Sequence, residues 1–487
     1  MRITLLILVF FLLTVSAIYA QQNFTFSGEN TAIYTHRVAK DSLANHFENE
    51  FRVRLDQRWF SFGMTFRAEL PKYDQFKPID ELRPNQITTE WSERFAQLNL
   101  DKLRLKAGTI EDSFGSGIVL RSWNDIDNER DKRMEGVHAE YNFRNIRLTT
   151  VYGALRDDVP EQLINENDIV MATDVDYRPI PFLNFGASVV EYKQKNILTN
   201  RQSYTYYNVY GGRLGLMTDY FDLSTEYAEL RRYHDIPNTY IGSAIYGNSN
   251  IYLGPITLTA GYKRYSRFNE YPLADLPTLN HYDELLYSYA EVDFEEGLLG
   301  EIRFIPNYEN EFLISVAESW DRDFKVRHFN LFTEYIRYFS DFMVRANYQH
   351  LEKTKKNNHE WEKELKPSIY VDFQTLPILQ SITFEWSYNE EENFTEFKTY
   401  NKPYFQVDTR ITDRLNLAAF ISTKYDSFDD ISDSEVYLGA ELKTTLSNHT
   451  DFTVFFGEEQ GGKVCRNGVC KTQAPFTGLR LTLNTRF

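Results

Sequence analysis

The sequence predicts an all-β protein: one large, antiparallel, up-and-down transmembrane β-barrel with about 24 strands, an even number between about 18 and 26. Three observations predict it. Segments of alternating polarity recur along most of the chain, short turns alternate with longer polar loops, and the last strand ends on an aromatic residue. In such a barrel the apolar face of each strand meets lipid and the polar face lines a wet lumen.

The amino terminus predicts a cleaved signal peptide. A positive start, Met1-Arg2, precedes an apolar run and then small residues before Gln21. This order is typical of export signals, and the apolar run is too short to span a bilayer comfortably. No later apolar stretch has the length of a spanning helix. We expect a signal peptide over residues 1–20 and a single barrel domain over residues 21–487, inserted through strands.

Composition supports a barrel and excludes one class of partner. The chain has 487 residues, of which 16% are aromatic and 25% are charged. A soluble protein of this length would need several domains, yet no linker rich in Pro, Gly or Ser separates any. The net charge of −17 argues against nucleic acid as a partner, because phosphate binding needs clustered Lys and Arg.

The strands show the alternation directly. Over residues 434–442, Val436, Leu438, Ala440 and Leu442 alternate with Glu, Tyr and Gly. The same period of two occurs over residues 145–153, 255–263, 341–349 and 414–422. Charged residues recur in the middle of the polar faces, where a solvated lumen tolerates them and a packed sandwich core does not.

The connections predict the strand count. Short turns are expected near residues 57, 101, 144, 180, 219, 254, 297, 339, 376, 411 and 449, and longer polar loops over residues 71–90, 111–135, 271–281 and 458–475. The strands that flank these turns, together with a first strand over residues 23–34 and the terminal strand, bring the count to 24. An even count places both termini on one side, which we expect to be the periplasm.

The terminal strand, residues 476–487, alternates between an apolar face and a polar face and ends at Phe487. An aromatic end on an exported chain resembles the terminal signal with which bacterial outer-membrane barrels engage the barrel-assembly machinery. The alternative is a soluble strand that happens to end in Phe.

The two cysteines predict a disulfide. Asn467-Gly468 is a strong hairpin signal, because both central residues of that turn need positive φ, and the turn places Cys465 opposite Cys470. An exported protein meets an oxidising compartment, and closing so short a loop stabilises by roughly 2 kcal/mol. A catalytic or metal-binding pair is the alternative, but no His or second Cys pair stands nearby.

Three cations alternate with three apolar residues over residues 102–107. If the apolar residues face lipid, Lys102, Arg104 and Lys106 form a positive ladder in the lumen, suited to an anion-attracting constriction. The alternative, which we favour, is a structural network of ion pairs, because a barrel this charged needs cross-strand partners. Candidate partners in the lumen are Glu93, Asp101 and Glu140.

The stretch over residues 107–141 is the most distinctive in the chain. Its glycines interrupt strands, and a loop between them carries both charge signs. Folded inward, this loop narrows the lumen; more commonly, such a loop is solvated and external. The candidates for a constriction here are Arg121, Asp125, Asp127, Arg130 and Arg133.

A family resemblance follows from this stretch. The run Ala107-Gly108, Phe114-Gly115-Ser116-Gly117, Leu120-Arg121, Asp127 and Gly136-Val137 resembles an uncharacterised family of porin-like outer-membrane proteins of Bacteroidota type. The cysteine hairpin ahead of a strand that ends at Phe487 is similar to that family too. The resemblance implies an outer-membrane barrel of a Gram-negative bacterium and assigns no functional residue.

Signatures of enzymes and cofactors are absent from the sequence. His359-Glu360-Trp361-Glu362-Lys363 lacks the second His of a zinc protease, and Gly115-Ser116-Gly117 does not meet the frame of a nucleophile elbow. Residues 211–215 are rich in Gly, but no helix follows them to form a phosphate cradle. Residues 429–433 are acidic enough to hold Ca²⁺, although a solvated loop explains them as well.

We therefore expect a porin-like channel for small polar solutes, without enzymatic activity, cofactor or metal. The alternative is a non-conducting barrel that serves as a scaffold or accessory subunit of an outer-membrane secretion or assembly complex. The two differ in whether the lumen is open.

Overall fold

The computed structural model describes residues 24–38, 45–71, 87–125, 130–156, 168–196, 203–234, 240–269, 271–280, 285–286, 292–354, 360–373, 378–393, 396–426, 434–466, 469–473 and 475–487. The predicted signal peptide, residues 1–20, lies outside these ranges and stays a prediction. No helix in the described ranges is long and apolar enough to cross a membrane.

Thirty strands are present among the described residues. They are β1 (Thr25–Arg37), β2 (Asn45–Gln57), β3 (Phe60–Leu70), β4 (Thr88–Asn99), β5 (Leu103–Ile110), β6 (Asp112–Phe114), β7 (Leu120–Ser122), β8 (Asn124–Asp125), β9 (Arg130–Asp131), β10 (Met134–Phe143), β11 (Ile146–Leu155), β12 (Ile169–Ile180), β13 (Leu183–Asn196), β14 (Ser203–Met217), β15 (Phe221–His234), β16 (Tyr240–Leu253), β17 (Ile256–Ser266), β18 (Phe294–Asn307), β19 (Asn310–Trp320), β20 (Arg327–Tyr338), β21 (Phe342–Thr354), β22 (Trp361–Phe373), β23 (Leu379–Asn393), β24 (Glu396–Thr412), β25 (Leu415–Lys424), β26 (Glu435–Ser447), β27 (Thr450–Glu459), β28 (Gly462–Arg466), β29 (Val469–Gln473) and β30 (Phe476–Arg486).

Twenty-four of these strands form one closed antiparallel barrel. Each barrel strand pairs with its neighbour in the chain, β5 pairs with β10, β27 pairs with β30, and β30 pairs back with β1. The six remaining strands form three small hairpins, β6–β7, β8–β9 and β28–β29. The predicted fold class and the predicted count of 24 strands are confirmed.

The two faces of the wall differ as the period of two predicts. In β18, Leu298 and Ile302 are each 52% exposed on the outer face, whereas Glu301 between them points inward. Across the strand pair, Ile302 lies beside Ile314 of β19, which is also 52% exposed. Exposed apolar side chains on alternate residues give the barrel an apolar outer surface, as strands in contact with lipid require.

One predicted turn is wrong. The turn expected near residue 297 lies at residues 308–309, and Gly297 is inside β18. The polar run before Gly297 suggested a turn, but Glu295 points into the barrel and forms a fully buried ion pair with Lys263 of β17. A charged residue that finds its partner on the neighbouring strand does not end a strand.

The short turns and both ends of the barrel sheet lie together. Thr25 is the register partner of Asp56, beside the β2–β3 turn, and Thr485 is the partner of Thr450, beside the β26–β27 turn. We call this end the short-turn end and the opposite end the long-loop end. Most connections at the long-loop end are long, although only two residues separate β23 from β24.

Phe487 closes the seam between β30 and β1. Its backbone N–H donates to the carbonyl of Gly28 (2.9 Å), and the Gly28 N–H donates back (2.8 Å). Its ring stacks on Phe51 and makes a tilted contact with Phe26, with centroids 5.9 and 5.8 Å away, over the bare backbone of Gly28. The terminal residue is therefore part of the outer surface at the seam. Its role as an assembly signal stays a prediction.

The largest apolar cluster lies inside the barrel and not on its outer surface. Inward-facing side chains of β11 to β17 contribute to it, and two connecting segments cover them. Residues 111–125 are called the first inner segment, and residues 268–269 with 271–280 are called the second inner segment. The cluster comprises Ile110, Phe114, Ile118, Val119, Leu120, Met134, Val151, Val170, Ala172, Val190, Tyr192, Tyr207, Val209, Ala228, Leu230, Ala244, Tyr265, Phe268, Tyr271, Leu273 and Leu276.

Candidate functional site

The first inner segment is a hairpin that folds into the lumen. Asp112 of β6 pairs with Ser122 of β7, and the intervening residues reach across to the inner wall. Gly115 and Gly117 have φ of 60° and 95°, a left-handed region that favours Gly. The Phe-Gly-Ser-Gly sequence therefore supplies the reversals that direct this hairpin inward. The mixed-charge loop for which inward folding was considered from sequence follows the hairpin, and residues 126–129 of it lie outside the described residues.

The tip of this hairpin is bound to two charged residues of the wall. The Ser116 backbone N–H and hydroxyl both donate to Oε2 of Glu226 on β15, each over 2.8 Å. A Cβ on Gly115 would lie 2.4 Å from Cδ of Arg213 on β14 and 2.5 Å from the Glu226 carboxylate. Only Gly fits here. Glu226 is thus the acceptor that fixes the tip, and it is 5% exposed.

A second glycine admits the segment to the wall. A Cβ on Gly211 of β14 would lie 2.4 Å from Cγ2 of Val119. Val119 therefore packs directly on bare backbone and is fully buried. The glycine-rich stretch over residues 211–215 makes room for a side chain of the inner segment.

The second inner segment covers the first. The Arg121 N–H donates to the Leu273 carbonyl (2.8 Å), and the Asp275 N–H donates to the Gly117 carbonyl (3.0 Å). The Tyr271 hydroxyl donates to the Val119 carbonyl over 2.9 Å. Complete burial raises the pKa of Tyr271, so this hydroxyl keeps its proton and remains a donor. The two segments form one body inside the barrel.

Arg121, a predicted constriction residue, lies on the surface of that body. Its guanidinium forms an ion pair with Asp275 and stacks on Trp123, 4.2 Å from the ring centroid. Both charged side chains are partly exposed, at 38% and 36%. The sequence identified Arg121 but not its partner on the second inner segment.

A charge cluster lies on the inner wall beside the tip. Arg213 donates to both carboxylate oxygens of Asp174 (2.7 and 2.9 Å) and to Asp176 (2.9 Å). It also donates to the Ser188 hydroxyl over 2.7 Å, and Arg147 forms an ion pair with Asp176. These residues come from the four neighbouring strands β11 to β14, two of them from β12, and their charges are paired.

The predicted positive ladder has the predicted orientation. Leu103, Leu105 and Ala107 are paired with Tyr141, Ala139 and Val137, the outer face of β10. Arg104 points inward and forms an ion pair with Glu140, a partner named from sequence. The Lys106 ammonium lies 4.5 Å from the Phe95 ring centroid, and that of Lys102, at the turn, lies 5.9 Å from the Phe143 ring centroid. A role in ion selection stays a prediction.

Arg133 lies in a network of ion pairs. Its Nε and Nη2 donate to the two oxygens of Asp131, each over 2.8 Å, and Arg156 binds the same carboxylate at 3.0 Å. Burial lowers the pKa of Arg133, but hydrogen bonds and charge from Asp131 outweigh it and raise the pKa above its usual value. Asp125 and Arg130 are register partners in the β8–β9 hairpin, and Asp127 lies outside the described residues.

The cysteine hairpin also folds toward the inner wall. Cys465 and Cys470 are register partners in β28–β29, as expected, and the disulfide itself stays a prediction. Arg466 beside them is 4% exposed and donates to Glu459 of β27 over 2.7 Å. Its guanidinium lies 4.2 Å from the Phe420 ring centroid and 4.9 Å from that of Phe455.

Sequence reasoning missed Glu226, Arg213, Arg466 and the second inner segment. A signal for that segment was present: residues 271–279 carry Tyr, Leu and Pro at a density unusual for a solvated loop. No signal marks Glu226, because its partner Ser116 is distant in sequence. None marks Arg466 either, because its nearest ring, Phe420, is on a separate strand of the wall. The acidic run at residues 429–433 lies outside the described residues, and elsewhere in the described chain no three His, Cys, Asp or Glu side chains come together to hold a metal ion.

One comparison with a solved structure agrees with the fold. The siderophore receptor PirA from Pseudomonas aeruginosa is similar with a TM-score of 0.50 and 9% identity, over 96% of this chain and 81% of that one. The outer-membrane transporter YddB from Escherichia coli has a TM-score of 0.49 and 8% identity, over 96% and 81%. The P pilus usher PapC translocation pore has a TM-score of 0.44 and 10% identity, over 96% and 99%. At such low identity these similarities concern the fold alone.

No curated protein matches the chain. A family model described as a family of unknown function, DUF6029, matches residues 1–291, more than half of the sequence and all of the first and second inner segments. The chain therefore belongs to the DUF6029 family.

Proposed function

We propose that the protein is a channel in the outer membrane of a Gram-negative bacterium of Bacteroidota type, and that it passes small polar solutes through a lumen narrowed by the two inner segments. The observation that carries the proposal is the wall itself, which is apolar outside and charged inside. A wet lumen accounts for charged side chains in mid-strand on the inner face. The short-turn end, with both termini, then faces the periplasm.

The inner segments give the channel its selectivity. They occupy the side of the lumen along β11 to β17, and they present the Arg121–Asp275 pair on their surface. Charges at a narrowing act on passing ions more strongly than charges elsewhere on a wide wall. In this proposal the barrel supplies the passage and the inner segments set its width.

The test is the single-channel conductance of the refolded full-length protein in a planar bilayer. In the test variant, Asn-Gly replaces residues 113–121, so that Asp112 and Ser122, already register partners, are joined by a two-residue turn. We expect stable steps for the wild type and steps larger by roughly twofold for the variant, because a wider lumen conducts better.

A matched control removes an exposed turn at the same end. In this control, Asn-Gly replaces residues 322–325, which lie between β19 and β20 and are exposed. Its conductance should equal that of the wild type. Silence from all three proteins, with the heat-modifiable gel migration of a folded barrel retained, would contradict the channel.

That silence would favour the non-conducting scaffold. The observation in favour of the scaffold is the apolar packing of the inner segments, which fixes them against the wall. Under this alternative, the inner segments block the lumen permanently and the outer loops bind a partner protein.

A further inference from the structure

Two asparagines face outward on neighbouring strands of the barrel wall. Asn30 of β1 shares the outer face with Phe26, because alternate residues of a strand point to the same side. Its neighbour Glu29 points inward and accepts a hydrogen bond from Asn484 of β30. On β2, the side-chain Nδ2 of Asn49 donates to Oδ1 of Asn30 over 3.0 Å, so Asn49 lies on the outer face too. We call these two residues the outer asparagine pair.

The outer asparagine pair lies at the depth of the lipid. Phe26 and Phe487 lie on its short-turn side, and both rings are exposed. Tyr34 and Phe47 lie on its long-loop side and are exposed as well. Rows of outward aromatic side chains mark the two boundaries of the apolar band of a membrane barrel. Water is absent between those boundaries, so a polar group there needs a partner in protein.

The pair retains one donor group and one acceptor that are not used. Asn30 Nδ2 and Asn49 Oδ1 form no hydrogen bond with any described residue. Apart from Asn30, Asn49 Nδ2 reaches the Thr31 carbonyl, at 3.5 Å. An amide group without a partner in hydrocarbon raises the free energy of the protein. The pair therefore favours a partner that accepts one hydrogen bond and donates another.

The surface around the pair allows close approach. The register partners of Asn49 on the two neighbouring strands are both alanine, Ala32 of β1 and Ala68 of β3. Elsewhere the outer face presents larger apolar side chains, such as Leu298 and Ile302 of β18. Small residues beside polar ones are typical of contacts between membrane-embedded segments, because they let two backbones come close and their polar side chains meet.

A second copy of the chain supplies both missing partners. Across a two-fold axis, Asn30 Nδ2 of one copy donates to Asn49 Oδ1 of the other copy, and the reciprocal bond forms by symmetry. The acyl chains of lipids offer neither a donor nor an acceptor. The unused donor and the unused acceptor belong to one patch, so a single further copy satisfies both and the contact closes at two chains.

We propose that the protein forms a two-fold dimer in the membrane through the outer faces of β1 and β2, with the two outer asparagine pairs hydrogen-bonded to each other at its centre. The inference goes beyond the proposed function, because it concerns assembly and holds whether or not the lumen conducts. Since the contact is made by outer faces, the two lumens stay separate.

Sedimentation equilibrium of the refolded full-length protein tests the dimer. The protein is held in detergent micelles that match the density of the solvent, so that the protein alone determines the measured mass. We expect twice the mass of one chain for the wild type. Asn30→Leu with Asn49→Leu should raise the dissociation constant of the dimer by at least about tenfold, because two hydrogen bonds between the copies are lost. Leucine suits a face that meets lipid, so this variant should fold.

Asn208→Leu is the matched control. Asn208 also points outward, on β14, but its register partners are Glu191 and Arg231 and not a second amide. The same substitution at this position should leave the dissociation constant unchanged. A weaker dimer in the control would attribute the effect to added apolar surface and not to the outer asparagine pair.

Mixing two single variants tests the pairing between copies. Each bond needs Asn30 from one copy and Asn49 from the other, so Asn30→Leu and Asn49→Leu should each lose both bonds. In an equimolar mixture, one bond forms again between the Asn30 that one variant keeps and the Asn49 that the other keeps. The dissociation constant of the mixture should be at least about threefold lower than that of either variant alone.

Four results would overturn the inference: the mass of a single chain for the folded wild type, a mass of three or more chains, unchanged association of the double Leu variant, or no gain on mixing. Conductance steps from a protein that stays monomeric would overturn this inference and leave the channel standing. A dimer that is weakened in the double Leu variant, from a protein that does not conduct, would support the dimer and contradict the channel.

Discussion

Two regions of the inner wall hold a piece of chain inside the barrel, and they do so by different forces. Along β11 to β17 the wall holds the two inner segments through apolar side chains that exclude water. Along β25, β27 and β30 the wall holds the cysteine hairpin through one arginine among aromatic rings. The first region uses many weak contacts of large area, whereas the second uses few contacts of high directionality.

The apolar region derives its stability from the apolar surface area that it buries. Val119, Tyr265 and Phe268 are each fully buried, and their neighbours across the interface are Val, Leu and Tyr. Burial of apolar surface contributes about 25 cal/mol per Å² and tolerates small shifts of position, because it has no preferred direction. Such packing has a steric requirement. Wherever a side chain of the inner segments meets the wall closely, the wall residue must be Gly, as at Gly211.

The arginine region derives its stability from charge and ring faces. Arg466 lies near the faces of Phe420 and Phe455, and Arg480 lies 4.4 Å from the Phe476 ring centroid. Both arginines bind the buried Glu459. Removing one of these three charged side chains leaves a buried charge with fewer partners. A single substitution should therefore be enough to destabilise this region.

The largest effect is expected for Arg466→Ala. This change removes one of the two partners of Glu459 and the contacts with two rings, and we expect the free energy of unfolding to fall by about 3 kcal/mol. The measurement is a guanidinium titration of the protein refolded in lipid vesicles. Lys325→Ala, which breaks an ion pair exposed on both sides, is the control and should cause no measurable change. A loss as small as that of the control would show that Arg466 does not hold the hairpin.

An intermediate effect is expected for Gly211→Leu. The new side chain meets Val119 and forces the first inner segment away from the wall, at a cost of about 2 kcal/mol. Trypsin should then cleave after Arg121 in protein refolded in vesicles, whereas the wild type resists. Gly212→Leu is the matched control, since a Cβ at Gly212 meets nothing within 4 Å. Equal resistance of both variants would mean that the segment is not held by its fit to this wall.

The smallest effect is expected for Cys465→Ser with Cys470→Ser. If the disulfide forms, its loss should cost about 1 to 2 kcal/mol, because the loop is short and Arg466 already holds the hairpin. The guanidinium titration measures this cost, and a reducing agent should reproduce it in the wild type but not in the double variant. Thiol labelling of the unreduced, denatured wild type should find no free thiol; two labelled cysteines would exclude the disulfide.

The comparison also shows where sequence reasoning works. Strands that touch lipid on one face and water on the other carry a period of two, so their count and faces were predictable, down to Leu103, Leu105 and Ala107. The hairpin register of Cys465 and Cys470 was predictable because Asn467-Gly468 specifies a turn locally. The turn near residue 297 was not, because the partner of Glu295 is on another strand.

The sequence by itself determined the closed barrel, its 24 strands and its apolar outer face, because each follows from a local pattern that repeats along the chain. Only the tertiary structure decided that the two inner segments fold inward, that Ser116 binds Glu226, and that Arg466 lies over two rings. These contacts join residues far apart in sequence. Their energy depends on which side chains the closed wall brings face to face, and no local pattern carries that information.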